Sequence, residues 1–123
     1  MKVPNADKLS IEEFFIGIEN IENSQYDLNY TYTFKKGVRE RFKSNLDLNL
    51  LLNVVTLLVQ NGKLDKAYFP HYLKGFPKSK NIMECHILPD WLLVWEQKDK
   101  DLTLLLLDTG THSKLFNSKQ LRK

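Results

Sequence analysis

Hydrophobic and polar positions near the N-terminus follow a helical period. Phe14, Ile18 and Ile21 recur at the spacing of one helix face. The preceding SIEE stretch has a serine followed three residues later by a glutamate, which is the capping-box signature of a helix that begins at Ser10. We therefore predict a short amphipathic helix over residues 11–21, followed by a linker at ENSQ.

The middle of the chain changes from alternation to helical spacing. Tyr26, Leu28, Tyr30 and Tyr32 alternate with polar residues, which predicts a half-buried strand. In KKGVRERFKSN the apolar residues lie four positions apart among basic ones, which predicts a helix with one apolar face. A second and more apolar helix is predicted for LNLLLNVVTLLVQ, with Asn45 or Asp47 as its cap and Asn-Gly at its end.

The C-terminal part has the pattern of successive strands. NIMECHI, WLLVWEQ and LTLLLLDT are apolar or alternating runs, separated by Pro89 and by the polar turn KDKD. The last two runs are almost continuously apolar, as expected for strands covered on both faces. The order of elements predicts an α+β fold, in which a small antiparallel sheet of about four strands packs against two helices, with an extra N-terminal helix.

Length and composition limit the class of protein. A chain of 123 residues with 42% hydrophobic residues is long enough to bury one core and is typical of a single globular domain. No apolar run approaches the ~18 residues that cross a bilayer, and the N-terminus lacks the order of a secretory signal. The single cysteine, Cys85, excludes an internal disulfide. We predict a cytoplasmic protein that does not associate with membranes.

Charge is unevenly distributed along the chain. The net charge is +3, but residues 1–24 sum to −3, which leaves +6 on the remainder. A basic body favours polyanions such as RNA or acidic protein segments as partners. The alternative is that this excess is ordinary for a domain of this size.

Three histidines lie in the second half of the chain, where loops and strand ends can bring side chains together. His71 is in the FPHYLKG loop, His86 is near a strand end, and His112 follows the last strand. Singly, each is more simply a surface or core residue. No spacing of a cysteine hook or of HExxH is present, and Cys85 and His86 point to opposite faces of a strand. We therefore predict neither a metal nor another cofactor.

Acid–base chemistry remains for these side chains. Histidines exchange protons near neutral pH, and a carboxylate can orient one of them. Cleavage of RNA through its own 2′-hydroxyl needs a base, an acid and cations around the phosphate, and aromatic side chains suit unpaired bases. The residue types thus favour RNA cleavage.

The CHxxPDWLLV block, with GTHSxLF about twenty residues later, resembles the RelE/YafQ-type toxins of bacterial type II toxin–antitoxin systems, and specifically the YafQ branch. The resemblance covers residues 26–116 and includes YTYTFKKGVRERF and HYLKG. It implies a RelE-like sheet and an mRNA interferase that enters the ribosomal A site and cuts translated mRNA without a metal. It also implies a cognate antitoxin that wraps the basic face, and contact with operator DNA only through the antitoxin complex.

The resemblance also implies roles for individual residues. His112 would be the general acid, His86 with Asp90 would lie on the base side, and His71 would share the base role. The implied RNA contacts are Trp91, Phe116, Lys78, Lys80 and Lys114.

Some of these positions have simpler interpretations. Trp91 and Trp95 are also explained as core residues, Phe116 as a terminal hydrophobic plug, and Glu84 as the partner of a lysine. These alternatives remain open on the sequence alone.

The chain departs from the family pattern at two places. Met83 stands where the family usually has an arginine, and the loop after His71 is about two residues longer. The lost cation favours an alternative function, in which a catalytically weak or inactive relative binds antitoxin and operator DNA. The acidic leader adds a boundary, which predicts residues 1–24 as an extension and residues 25–123 as the toxin-like domain.

Overall fold

A five-stranded sheet, with the three longer helices on one face and a short helix on the other, forms the framework of a computed structural model that describes residues 8–116. A short 3₁₀ turn precedes the second strand and another follows it. In chain order the elements are α1 (Ile11–Glu19), β1 (Asp27–Tyr30), α2 (Tyr32–Lys43), α3 (Leu48–Asn61), a 3₁₀ turn (Lys66–Tyr68), β2 (His71–Tyr72), a second 3₁₀ turn (Lys78–Lys80), β3 (Ile82–Leu88), β4 (Trp91–Lys98), β5 (Thr103–Gly110) and α4 (His112–Phe116).

The strand order in the sheet is β1-β5-β4-β3-β2. The α+β prediction is confirmed, but the sheet has five strands rather than about four, because β2 forms within the segment predicted to be a loop. The predicted antiparallel pairing is confirmed for most of the sheet, and the exception is one edge, where β1 pairs with β5 in parallel. Alternation along a strand does not encode the direction of its neighbour.

The helix ends follow local capping chemistry. Ser10 and Glu13 form the predicted capping box of α1. Asp47 caps α3, and Gly62 ends that helix with a left-handed backbone at φ 73°. The predicted strand does not extend to Tyr32, because the Thr31 side chain accepts from the Phe34 amide and begins α2 there.

Apolar side chains cover both faces of the central strands. The larger cluster lies between the helices and the sheet and includes Phe14 of α1, Phe34 of α2 and Trp95 of β4. A smaller cluster on the other face includes Leu92 and Leu115, under α4. The prediction of strands covered on both faces is therefore confirmed for β4, whose first five residues are all buried.

Within residues 8–116, no helix has the length and apolar character needed to cross a membrane.

Candidate functional site

The predicted histidines come together from three elements: His71 lies in β2, His86 in β3 and His112 at the start of α4. Pairing of β2 with β3 places His71 opposite Glu84. Cys85 belongs to the core beneath the helices, so the alternation of β3 directs Glu84 and His86 to the other face. The His86 ring centroid lies 6.4 Å from that of His71 and 5.5 Å from that of His112. We call His71, His86 and His112 the histidine row.

His71 is held at both ring nitrogens. Its Nδ1 lies 2.6 Å from the Phe69 carbonyl oxygen, and its Nε2 lies 2.9 Å from Glu84 Oε1. The second contact needs one proton, which either the ring or the carboxyl group carries. Only 4% of Glu84 is exposed, and its other oxygen has no hydrogen-bond partner within residues 8–116. The interpretation of Glu84 as the partner of a lysine is therefore wrong.

Sequence reasoning did not select Glu84 as a site residue. The available signal was its position two residues before His86, which places both side chains on one face of the strand.

His112 is oriented by Asp90 from the turn between β3 and β4. Asp90 Oδ1 accepts from the His112 backbone amide at 2.9 Å and lies 2.7 Å from His112 Nδ1. The backbone hydrogen bond, followed by the side-chain hydrogen bond, holds the pKa of Asp90 below its ordinary value. A ring that donates from Nδ1 to this carboxylate leaves Nε2 for another partner. Asp90, which was expected on the base side with His86, contacts His112 instead.

His86 is the middle member of the histidine row. Within residues 8–116 its ring makes no hydrogen bond, and its other neighbour is Phe69, whose ring lies edge-on at 5.7 Å. His86 is the member whose two ring nitrogens are not engaged by a residue of this described part of the chain.

The two aromatic residues implied as RNA contacts have different positions. Phe116 is 36% exposed, and its ring centroid is 5.8 Å from that of His112, at the end of the histidine row. Trp91 is only 1% exposed, and its indole nitrogen donates to Thr109 Oγ1. The structure thus contradicts direct RNA contact by Trp91 and places it in the core. Trp95 is also a core residue, in agreement with its simpler interpretation.

The lysines implied as RNA contacts lie outside the histidine row. Lys114 Nζ is 2.6 Å from Glu40 Oε1, which links α4 to α2 and holds the pKa of Glu40 below its ordinary value. Lys78 lies over the Tyr72 ring at 5.5 Å, and Lys80 ends the same 3₁₀ turn. Lys78 thus lies beside β2, over Tyr72, the residue that follows His71 in the sequence.

Met83 does not share the face of the histidine row. It packs against the larger core cluster, on the side of Cys85 rather than of Glu84 and His86. Burial raises the pKa of the Cys85 thiol to about 12, so this sulfur is a neutral thiol at neutral pH. Both observations exclude these two side chains from direct chemistry at the row.

A cleft of about 630 Å³ opens beside the histidine row. Phe69 contributes to its wall and is 67% exposed. Sequence reasoning missed this residue, although the position of an aromatic two residues before His71 was a signal. The Phe69 cleft is lined by Ala67, Tyr68, Phe69, His71, His86, Ile87, Leu88 and Pro89.

The chain matches the family model described as "Bacterial toxin of type II toxin-antitoxin system, YafQ" over residues 26–117. It is 36% identical over 93 residues to the mRNA interferase toxin YafQ of Escherichia coli strain K12, an alignment that covers 75% of this chain and 97% of the relative. The family match begins at residue 26, so α1 lies outside it.

Solved structures have the same fold. The crystal structure of the E. coli DinJ-YafQ toxin-antitoxin complex matches with a TM-score of 0.69 and 34% identity, over 75% of this chain and 98% of that chain. A metal-bound toxin from Helicobacter pylori matches with a TM-score of 0.67 and 37% identity, over 74% and 99%. In residues 8–116 of the present chain, no group of three or more His, Cys, Asp or Glu side chains is arranged to hold a metal ion.

Proposed function

The chain belongs to the YafQ family of bacterial type II toxin–antitoxin toxins, and we propose that it is a ribosome-dependent mRNA interferase. Its curated E. coli relatives are named mRNA interferase toxins. The single observation that carries the proposal is the histidine row, in which Asp90 orients His112. Acid–base cleavage of RNA uses one group as base and another as acid, and the histidine row supplies two imidazoles, of which one is held in place by a carboxylate.

The reaction joins the 2′-oxygen of one nucleotide to the adjacent phosphorus and breaks the bond to the 5′-oxygen. A base takes the 2′-hydroxyl proton, and an acid gives a proton to the leaving 5′-oxygen, so the products are a 2′,3′-cyclic phosphate and a 5′-hydroxyl. His112 is the proposed acid, because Nδ1 donates to Asp90 and Nε2 can carry the second proton. The negative carboxylate stabilises the doubly protonated ring.

His86 is the proposed base, since its ring nitrogens are free of hydrogen bonds to residues 8–116. His71 is less suited to proton exchange with the RNA, because both of its nitrogens are already engaged. When the shared proton is on the ring, His71 contributes positive charge near the phosphate. Asp90 thus acts on the acid side rather than on the base side.

The proposed partners are a cognate antitoxin and mRNA in the ribosomal A site. The E. coli relative was solved with the antitoxin DinJ. An acidic or amphipathic antitoxin segment would complement the net positive charge after residue 24. Operator DNA would be contacted only through the antitoxin complex, and the protein would act in the cytoplasm.

The alternative of an inactive binding module loses its supporting observation. Met83 was the departure that favoured it, and this side chain packs in the helical core rather than beside His86. An arginine at position 83 would therefore start from the opposite face of β3.

Induction of wild type and His112→Ala in a bacterial host tests the proposal. Wild type should arrest growth and cut mRNA at A-site codons, mapped by primer extension, and His112→Ala should cut ~10²- to 10⁴-fold more slowly. Both proteins should have the same unfolding midpoint and the same affinity for the antitoxin. Intact mRNA on induction of a folded, antitoxin-binding wild type would contradict the enzymatic proposal. Equal cleavage of purified mRNA with and without ribosomes would contradict ribosome dependence alone.

A further inference from the structure

Phe69 is displayed to solvent by a fixed backbone. Its φ of 51° lies in the left-handed region, which is uncommon for a bulky residue. Its amide donates to the Lys66 carbonyl, and its own carbonyl accepts from His71 Nδ1. The backbone is thus held on both sides while the residue remains 67% exposed. An apolar ring held in this position suggests a binding role.

The Phe69 cleft adjoins the groups proposed to react. Phe69, Leu88 and Pro89 contribute apolar surface to the cleft. Its described lining also includes the titratable side chains of Tyr68, His71 and His86. A volume of about 630 Å³ is within the usual range for small-ligand sites. The cleft therefore fits a planar, largely apolar group that lies directly beside the reacting imidazoles.

We propose that the Phe69 cleft binds one unpaired RNA base next to the scissile phosphate, by stacking on Phe69. This inference rests on the proposed function. Unpaired bases stack on aromatic side chains in single-stranded RNA recognition. The Phe69 and His86 rings are in edge contact at 5.7 Å, so a base stacked on Phe69 would lie directly beside the proposed base His86. RNA is favoured over an apolar antitoxin side chain, because the lining histidines belong to the histidine row.

Stacking sets the kind of preference expected. Among residues 8–116, no carboxylate or amide side chain lines the cleft, so few groups there distinguish the hydrogen-bonding edges of the bases. The larger ring system of a purine would cover more of Phe69 than a pyrimidine does. We therefore expect a preference for purines at one nucleotide beside the cut.

A binding experiment that does not depend on cleavage tests this inference. The probe is a short single-stranded RNA with one 2′-deoxy nucleotide, which removes the attacking hydroxyl, scanned with an abasic nucleotide at each position. Phe69→Ala should weaken binding of the intact RNA by roughly 5- to 150-fold, and Phe69→Trp should retain it. Tyr32→Ala is the matched control, since Tyr32 is 70% exposed on α2 and outside the cleft.

The abasic scan supplies the decisive comparison. At one position, base removal should weaken binding to wild type as much as Phe69→Ala does, and should have no further effect on Phe69→Ala. Additive effects at every position, or a wild type that does not bind the RNA, would overturn the inference. An unchanged RNA affinity with weaker antitoxin binding would assign the cleft to the antitoxin instead. Loss of cleavage by His112→Ala tests the proposed function separately, so failure of either can be recognised.

Discussion

At the scale of single residues, one carboxylate oxygen fixes the position of His112. Asp90 Oδ1 accepts from the backbone amide and contacts the ring nitrogen, so Asp90→Ala removes both contacts. We expect the rate of the chemical step to fall by about 10²-fold with little change in KM, because a misplaced acid reacts slowly. Single-turnover cleavage on ribosomes measures this. Asp101→Ala, in the exposed turn before β5, is the control, and an unchanged rate in Asp90→Ala would remove Asp90 from the mechanism.

Asp108 is a buried carboxyl group that lowers the stability of the folded protein in a pH-dependent way. Burial raises its pKa from 3.8 to about 6, although the positive charge of Lys114 lowers it. Between these pH values the folded chain keeps a proton on Asp108 that the unfolded chain has lost. The free energy of unfolding therefore falls as pH rises through this range, and above pH 6 the whole loss of stability remains. Asp108→Asn should therefore gain stability relative to wild type from pH 4 to 6, by up to about 3 kcal/mol.

Denaturant unfolding of both proteins at each pH gives this difference. Asp101→Asn provides an exposed comparison in the same experiments. A difference between wild type and Asp108→Asn that stays constant from pH 4 to 7 would show that Asp108 ionises alike in the folded and unfolded chain.

Individual residues show what the sequence could reveal about the site. His71, His86 and His112 were found because titratable side chains at loops and strand ends are conspicuous in an apolar sequence. Glu84 and Phe69 were missed, because their roles depend on the short β2 pairing and on a left-handed backbone. The spacing of Glu84 from His86 and of Phe69 from His71 was the available signal, but it predicts neither the β2 pairing nor the left-handed backbone.

At the scale of elements, Gly37 allows α2 to lie close to β5. A Cβ at this position would be 2.3 Å from the Thr109 carbonyl oxygen, which is backbone and cannot move aside easily. Gly37→Ala should destabilise the protein by about 1–3 kcal/mol, since overpacking outweighs the ~1 kcal/mol that alanine gains in a helix. The change in unfolding free energy measures this effect.

Gly17→Ala in α1 is the matched control. There the added Cβ would be 3.2 Å from a side-chain methyl group of Leu52, which can shift. Its stability should stay within about 1 kcal/mol of wild type, because the helical gain and the tight contact oppose each other. Equal destabilisation by the two substitutions would contradict the close α2–β5 approach.

Elements with local signals were the ones predicted well. The capping box of α1, the Asp47 cap and Gly62 at the end of α3 depend on neighbouring residues alone. The parallel pairing of β1 with β5 depends on residues about 75 positions apart, such as Asp27 and Thr103, and no local pattern records it.

At the scale of the whole molecule, the sheet separates the main hydrophobic core from the candidate site. Helices α1 to α3 and the larger core cluster lie on one face, and Glu84, His86 and the smaller cluster under α4 lie on the other. The segment that precedes the family match contributes to the first face, because Phe14 and Ile18 of α1 are buried in that core. The division of the chain at residue 24 stays a prediction, but α1 packs with the toxin-like part of the chain.

This separation predicts that α1 contributes to stability rather than to catalysis. Phe14 is fully buried and packs near Phe34, so Phe14→Ala should cost about 3–5 kcal/mol of unfolding free energy. Phe14→Leu keeps most of the volume and should remain folded with a smaller loss. Ile16→Ala is the control, because Ile16 is 60% exposed on the same helix. For the folded fraction of each variant, the cleavage rate on ribosomes should equal that of wild type. A slower rate in folded Phe14→Leu, with Ile16→Ala unchanged, would mean that packing of α1 controls the geometry of the histidine row through the sheet.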